Sequence, residues 1–284
     1  MTRVLVTGAG GQLGQCFNQV AADYPHFLLV FKTKHELDIT QTESLQLFLK
    51  YHPIDILINC AAYTAVDAAE TSPSQALLLN HSAVSNLAQL AHSSGFKLVH
   101  FSTDYVFSGT QKTPYREDDP TAPINRYGQS KRLGEEALFQ VSASAICIRT
   151  SWLFSPFGNN FVKTILGRLA EGQALKVVDD QWARPTYGID LAHAVLGLLN
   201  HPKAVQHHCY HFANSGVTNW YGLAQAIARQ RGLETTITPL PSDQYPTAAR
   251  RPTHSVLDTQ RIENTCNLVL RSWEEALKDC LHYL

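Results

Sequence analysis

Residues 3–14 constrain the fold more than any other stretch. Arg3-Val-Leu-Val-Thr7 is a short apolar, β-branched run that stops at glycine, as a strand buried in a parallel sheet does. Gly8-Ala-Gly-Gly11-Gln-Leu-Gly14 follows, and a helical pattern runs from Gln15 to Ala22. The G-x-x-G-x-x-G spacing between strand and helix gives each glycine a task. Gly8 makes the tight turn, and Gly11 lets a pyrophosphate approach the backbone. Gly14 lets the helix pack closely on the strand, with the helix N-terminus facing the phosphates.

The same alternation continues. Apolar runs at Phe27–Phe31, Asp55–Asn59, Lys97–Thr103 and Ala145–Arg149 read as further strands. Helical patterns lie between them: one opening at Leu37-Asp38-Ile39-Thr40 with Thr40 and Glu43 spaced as a capping box, one over 74–93, and one over 130–141. This predicts an α/β fold, a Rossmann-type doubly wound parallel sheet with a smaller substrate-binding lobe. Beyond residue 150 the pattern is irregular. A helix is expected from Gly158-Asn-Asn-Phe161, a strand at Leu175–Val178, a polar loop over 179–186, a helix over 188–199 and a sixth strand at Tyr210–Ala213. The expected division is a dinucleotide-binding domain at about 1–150 with a return at about 181–212, and a lobe woven from about 151–180 and 213–284.

Composition excludes several classes. The formal net charge is -1 and no basic or acidic block occurs, so neither nucleic acid nor an anionic membrane is implied as a partner. No run approaches the roughly 20 apolar residues of a spanning helix, and no secretory leader is read at the N-terminus. A cytoplasmic protein is expected. The six cysteines form no C-x-x-C pair, so neither a disulfide nor a zinc site is predicted. His207, Cys209 and His211 alternate along a strand, but no separate ligand cluster completes a set, and no metal is assigned.

The chemistry is expected where open α/β sheets place it, at the carboxyl ends of the strands. Ser102, Thr103 and Asp104 end the fourth strand. Tyr127 and Lys131 lie four apart, on one face of a helix. A cation beside a phenol lowers its pKa and suits it to exchange a proton with a substrate oxygen. Where a NAD site has an acidic residue at the end of the second strand, this chain has Lys32-Thr33-Lys34, which suits a 2′-phosphate. NADPH is expected, with NADH left open.

Six segments carry a resemblance: Asn59-Cys-Ala-Ala-Tyr-Thr-Ala-Val-Asp67, Ser102-Thr-Asp-Tyr-Val-Phe107, Tyr127-Gly-Gln-Ser-Lys131, Arg149-Thr-Ser-Trp152, Gly158-Asn-Asn-Phe161 and Tyr245-Pro-Thr-Ala-Ala-Arg-Arg-Pro252. They resemble the extended short-chain dehydrogenase/reductase superfamily and, within it, the dTDP-4-dehydrorhamnose reductases, over nearly the whole chain. The resemblance implies reduction of dTDP-4-dehydro-6-deoxy-L-mannose to dTDP-L-rhamnose. Tyr127 is then the proton donor to the C4 oxygen, Lys131 lowers its pKa and binds the nicotinamide ribose, and Thr103 bonds the same oxygen. Gly11, Gln12 and Leu13, within the turn that Gly8 and Gly14 shape, line the pyrophosphate, and Asp38 and Ile39 sit by the adenine; Lys32 as a cofactor contact rests on the residues at the end of the second strand alone. Ala62, Tyr63 and Thr64 border the cofactor, and Asp104 and Trp152 face the substrate. Arg250 and Arg251 are candidates for its diphosphate, with surface ion pairing as the competing reading. Some relatives dimerise through a magnesium bridged by glutamates, one of them early in the first helix. Gln15 and Cys16 stand there, so the metal is not carried over and a homodimer is left open. The competing functions are a nucleotide-sugar 4-epimerase, which would retain NAD, and a non-catalytic subunit of the kind that binds methionine adenosyltransferase.

Overall fold

Apart from the edge strand Phe27–Lys32, whose Leu28 and Val30 are exposed, each strand of the central sheet alternates between two buried apolar faces. In the computed structural model, which describes residues 1–141, 145–202 and 206–284, six strands run parallel. They are β1 (Thr2–Thr7), β2 (Phe27–Lys32), β3 (Ile56–Asn59), β4 (Lys97–Thr103), β5 (Ile146–Thr150) and β6 (Cys209–Phe212), in the order β6-β5-β4-β3-β1-β2. Val4, Val6, Ile56, Ile58, Val99, Phe101, Ile146 and Ile148 point to one face, against helices Gln12–Val20 and Gly188–Leu199. Leu5, Leu57, Leu98 and Cys147 point to the other, against helices Ala83–Ser94 and Arg126–Val141. Burial on both faces is why these strands read as continuous apolar runs. The doubly wound α/β expectation holds.

The register sets up the site. Thr7 pairs with Asn59, Asn59 with His100, and His100 with Cys147. One row across the sheet therefore carries polar side chains on the face covered by helix Arg126–Val141. The strand order reverses between β1 and β3, which opens a crevice at their carboxyl ends.

A third hydrophobic cluster lies beyond the sheet. Helices Phe161–Ala170, Trp220–Arg231 and Trp273–His282 pack there around Ile165, Leu169, Leu223, Ile227 and Leu277. Leu175–Val178 pairs in parallel with Ile237–Leu240 at its edge.

Several local expectations need correction. Thr40 does not cap a helix. Asp38 Oδ1 accepts from both the Thr40 amide (2.9 Å) and its hydroxyl (2.8 Å), and the helix starts later, at Thr42, without a side-chain cap. Such local bonding is the usual competitor to a cap. The helix expected over 74–93 is interrupted by a π segment, Leu78–Ser82. The helix expected from 130 starts earlier, at Arg126, because the Asn125 side chain accepts from the Gly128 amide (2.7 Å) and starts the first turn, so Tyr127 and Lys131 share one helix as expected. The loop over 179–186 contains the short strands Trp182–Ala183 and Thr186–Tyr187. Helices Val66–Thr71 and Gln260–Cys266 were not foreseen.

A buried ion pair ties the layers together. Arg149 on β5 donates to both carboxylate oxygens of Glu135 (2.9 and 2.7 Å) and to the Glu117 carbonyl (3.1 Å). His211 sits in the same network, 3.3 Å from Arg149 Nη1 and 3.2 Å from the Tyr115 carbonyl. The loop between β4 and the Tyr127 helix is thereby anchored to the sheet. Removing one partner leaves the other charge buried and alone, which costs about 3–5 kcal/mol. Arg149→Met is expected to lose stability of that order in urea unfolding at neutral pH. A loss below about 1 kcal/mol, the size of an exposed pair, would contradict the assignment.

Candidate active site

The glycine turn is built for close approach. Gly8 has φ +68°, and a Cβ there would lie 2.5 Å from the Ala61 amide nitrogen, where β3 exits. A Cβ on Gly14 would lie 2.5 Å from the Gly8 carbonyl oxygen. The Gly11 amide closes the turn onto that same oxygen (2.9 Å). On the outer side the turn is open, since a Cβ on Gly10 would meet only Thr33 Cγ2, at 3.7 Å. Gln12 and Leu13 begin the helix, so their amides have no intrahelical acceptor and face this open side. A pyrophosphate fits that cradle. Leu13 is buried and offers only its backbone. Gln12 accepts from Asn160 Nδ2 (3.1 Å), so the Gly158-Asn-Asn-Phe161 segment packs on the turn.

At the end of β2, Lys32 Nζ lies 3.6 Å from Glu36, whose carboxylate also accepts from the Thr33 amide and hydroxyl (2.8 Å each). Asp38 is partly buried beside Thr40, and the Ile39 side chain is in the core. Ala62, Tyr63 and Thr64 line the exit of β3. The Tyr63 amide and carbonyl are both held by Asn80, at 2.9 and 3.0 Å.

Asn80 lies in the π segment and is fully buried. Its Nδ2 also donates to Ser130 Oγ (3.0 Å), which donates to the Tyr127 carbonyl (2.7 Å). One asparagine thus joins the β3 exit to the helix that carries Tyr127 and Lys131. Only glycine fits at 134, where a Cβ would stand 2.1 Å from the Asn80 carbonyl oxygen. π segments recur at functional sites.

Thr103 and Tyr127 converge. The Thr103 side chain lies near enough to the phenol to pull its pKa down, but burial outweighs this and pushes it above its ordinary value. Thr103 also bonds Asp104 Oδ1 (3.0 Å), and Ser255 donates to Asp104 Oδ2. Lys131 is buried at 2% exposure, and burial lowers its pKa to about 8. Its Nζ lies 3.3 Å from His100 Nε2. The lysine tip turns back to β4 in this arrangement, with His100 as its partner there.

On the lobe side, Trp152 adopts φ +48°, a strained conformation for a bulky side chain. Stacking on Trp220, with centroids 3.5 Å apart at 11°, and a bond from the Thr186 amide to its carbonyl (3.2 Å) hold it there. Arg251 is engaged end-on by Asp67, at 3.1 and 2.6 Å, and this pair holds the Asp67 carboxyl below its usual range. Asp67 also accepts from the Ala249 amide (3.0 Å). Asn80, His100, Asn59, Ser255 and Trp220 were missed as site residues. The signals were an asparagine inside a helical run and a histidine inside an apolar strand.

Asp104 yields a pH prediction. Burial raises its pKa to about 7, against the lowering bonds from Ser255 and Thr103. A folded carboxyl pKa above the unfolded value of about 4 means that the native state binds the proton more tightly. Its contribution therefore favours folding at low pH and declines as pH rises from about 4 to about 7. Asp104→Asn is expected to remove this decline from the stability-pH curve. An unchanged slope in that interval would show that Asp104 ionises normally.

Comparison with known proteins places the chain. The family model described as the RmlD substrate binding domain matches residues 1–284. The spore coat polysaccharide biosynthesis protein SpsK of Bacillus subtilis (strain 168) is 42% identical over 283 residues, covering 99% of this chain and 97% of that protein. The dTDP-4-dehydrorhamnose reductase of Escherichia coli (strain K12) is 37% identical, covering 99% and 97%. The crystal structure of dTDP-4-dehydrorhamnose reductase from Bacillus anthracis str. Ames in complex with NADP superposes with a TM-score of 0.95 at 34% identity, covering both chains fully. This chain belongs to the RmlD family, that of the dTDP-4-dehydrorhamnose reductases, within the extended short-chain dehydrogenase/reductase superfamily.

Proposed function

We propose that this protein reduces the C4 ketone of dTDP-4-dehydro-6-deoxy-L-mannose to the alcohol of dTDP-L-rhamnose, with NADPH as reductant and Tyr127 as proton donor. The observation that carries the reading is the convergence of Thr103 and Tyr127 at the carboxyl end of β4, in a chain of this family. NADPH supplies the hydride; one proton completes the alcohol.

Negative charge grows on the C4 oxygen as the ketone is reduced. Thr103 and Tyr127 meet that charge with hydrogen bonds, and Tyr127 passes its proton to the oxygen. A phenol whose pKa is raised by burial holds its proton at neutral pH, as an acid must. The nascent alkoxide is far more basic, so transfer is downhill. Lys131, as an ammonium, favours the phenolate left behind. Gly8, Gly11, Gln12, Leu13 and Gly14 hold the pyrophosphate, and Ala62, Tyr63 and Thr64 border the cofactor. Lys32 with Thr33 meets the adenosine 2′-phosphate in place of Glu36, and Asp38 and the Ile39 backbone lie beside the adenine. Trp152 offers an apolar plate and Asp104 a hydrogen-bonding carboxyl to the substrate. Asp67 covers two nitrogens of Arg251, so a diphosphate oxygen meets its Nε–H edge or displaces Asp67. Residues about 1–150 with about 181–212 act as the cofactor-binding domain, and the remainder as the substrate lobe. We place the reaction in the cytoplasm, and no helix among the described residues is long and apolar enough to cross a membrane.

The assay is substrate-dependent oxidation of NADPH by the purified protein. One NADPH is expected to be consumed per sugar reduced, whereas an epimerase would show no net consumption. Tyr127→Phe is expected to lower kcat by about 10²–10⁴, the usual span for a general acid, with NADPH binding retained. Turnover near the parent rate would remove Tyr127 from its role.

A further inference from the structure

Four buried side chains form one hydrogen-bonded line across β1, β3 and β4 to the site helix. Thr7 Oγ1 lies 2.9 Å from Asn59 Oδ1, Asn59 Nδ2 lies 3.2 Å from His100 Nδ1, and His100 Nε2 lies 3.3 Å from Lys131 Nζ. All four are nearly inaccessible to solvent. The number of donors and acceptors along this line is limited, and that restricts the protonation states.

Asn59 Oδ1 also accepts from the Ala61 amide, at 3.2 Å. Exchanging its oxygen and nitrogen would set the NH2 group against that backbone donor and leave it unsatisfied. Asn59 therefore presents NH2, a donor only, to His100 Nδ1. The His100 ring is neutral, since burial and the neighbouring Lys131 hold its pKa well below the ordinary value. A neutral ring that accepts at Nδ1 carries its proton on Nε2. Lys131 is thus faced by an N–H donor. A neutral amine accepts from it; an ammonium has no lone pair and is repelled.

We propose that His100 is a positioning residue for Lys131: fixed by Asn59 as the Nε2–H tautomer, it docks the lysine only as a neutral amine and turns the ammonium away from β4. The other ionisable groups facing Lys131 are Cys147 on β5 and, on its own helix, Glu135, which Arg149 already holds. Both favour the ammonium, but neither offers it an ion pair among the described residues. Burial lowers the Lys131 pKa to about 8, so its two positions interchange near that pH. Below it, Lys131 takes one proton from solvent, breaks the His100 bond, and is left free to serve Tyr127 and the cofactor ribose. Above it, the proton returns to solvent and the lysine is stored on β4. The consequence for turnover rests on the proposed reductase function; the tautomer does not.

The test uses ¹⁵N-histidine-labelled full-length protein, with the His100 signals assigned by their loss in His100→Gln. Two-bond nitrogen–proton spectra from about pH 6.5 to 9.5 are expected to show Nε2 protonated and Nδ1 bare. A protonated Nδ1 would overturn the proposal. The second readout is the pH profile of kcat. A glutamine at 100 can turn its carbonyl to the lysine and hold the ammonium on β4. His100→Gln should then lower kcat and move the alkaline limb up by about one pH unit. A lower kcat with an unmoved limb would mean that His100 only supports the fold. Absence of reductase activity in the parent protein, with the Nε2–H tautomer present, would sink the functional reading and leave this one standing.

Discussion

The site depends on a row of polar side chains set by strand register. Thr7, Asn59 and His100 are direct neighbours across β1, β3 and β4, so their side chains share one face of the sheet. That face is otherwise packed with leucine and alanine from helices Ala83–Ser94 and Arg126–Val141. A polar group there has to be bonded or it costs several kcal/mol. Each member of the row satisfies the next, and the last partner is Lys131. A one-residue slip of any of these strands would turn its polar member to the other face. The register that closes the core is therefore the register that assembles the site.

Two further constraints fix the approach of the Tyr127 helix. Glycine at 128 and 134 lets it lie against the Tyr105 and Asn80 carbonyls, where a Cβ would stand 2.1 Å away in both cases. Asn80 then bonds both the helix, through Ser130, and the Tyr63 backbone. The Arg149–Glu135 pair clamps the same helix to β5. Tyr127 is in this way held from three sides, with its phenol close enough to Thr103 to be affected by it before any ligand binds. Preorganisation of this kind is what makes electrostatic stabilisation effective in a site.

The strands, the glycine turn and the Tyr127–Lys131 pair were legible because their signals are local. Apolar alternation, a glycine spacing and a four-residue offset each fit within one element. What was not legible depends on contacts far apart in the chain. Asn80 and Ser130 are 50 residues apart, and Arg251 and Asp67 are 184 apart. No local pattern tells whether an arginine is free for phosphate or already paired. Thr40 shows the same difficulty at short range, where Asp38 won the competition for its hydroxyl. The direction of Lys131 was missed for another reason: the helical spacing places its Cβ beside Tyr127, while a long side chain chooses its end-point by burial and partners.

The proposed reaction delivers hydride to the sugar C4 while the protein supplies the proton. The most direct measurement uses NADPH deuterated at the transferred position of the nicotinamide C4, in ordinary water, with the product read by proton NMR. One deuterium is expected at C4 of the product sugar and none on its neighbouring carbons. Full protium at C4 despite NADPH oxidation, or deuterium at another carbon, would contradict it.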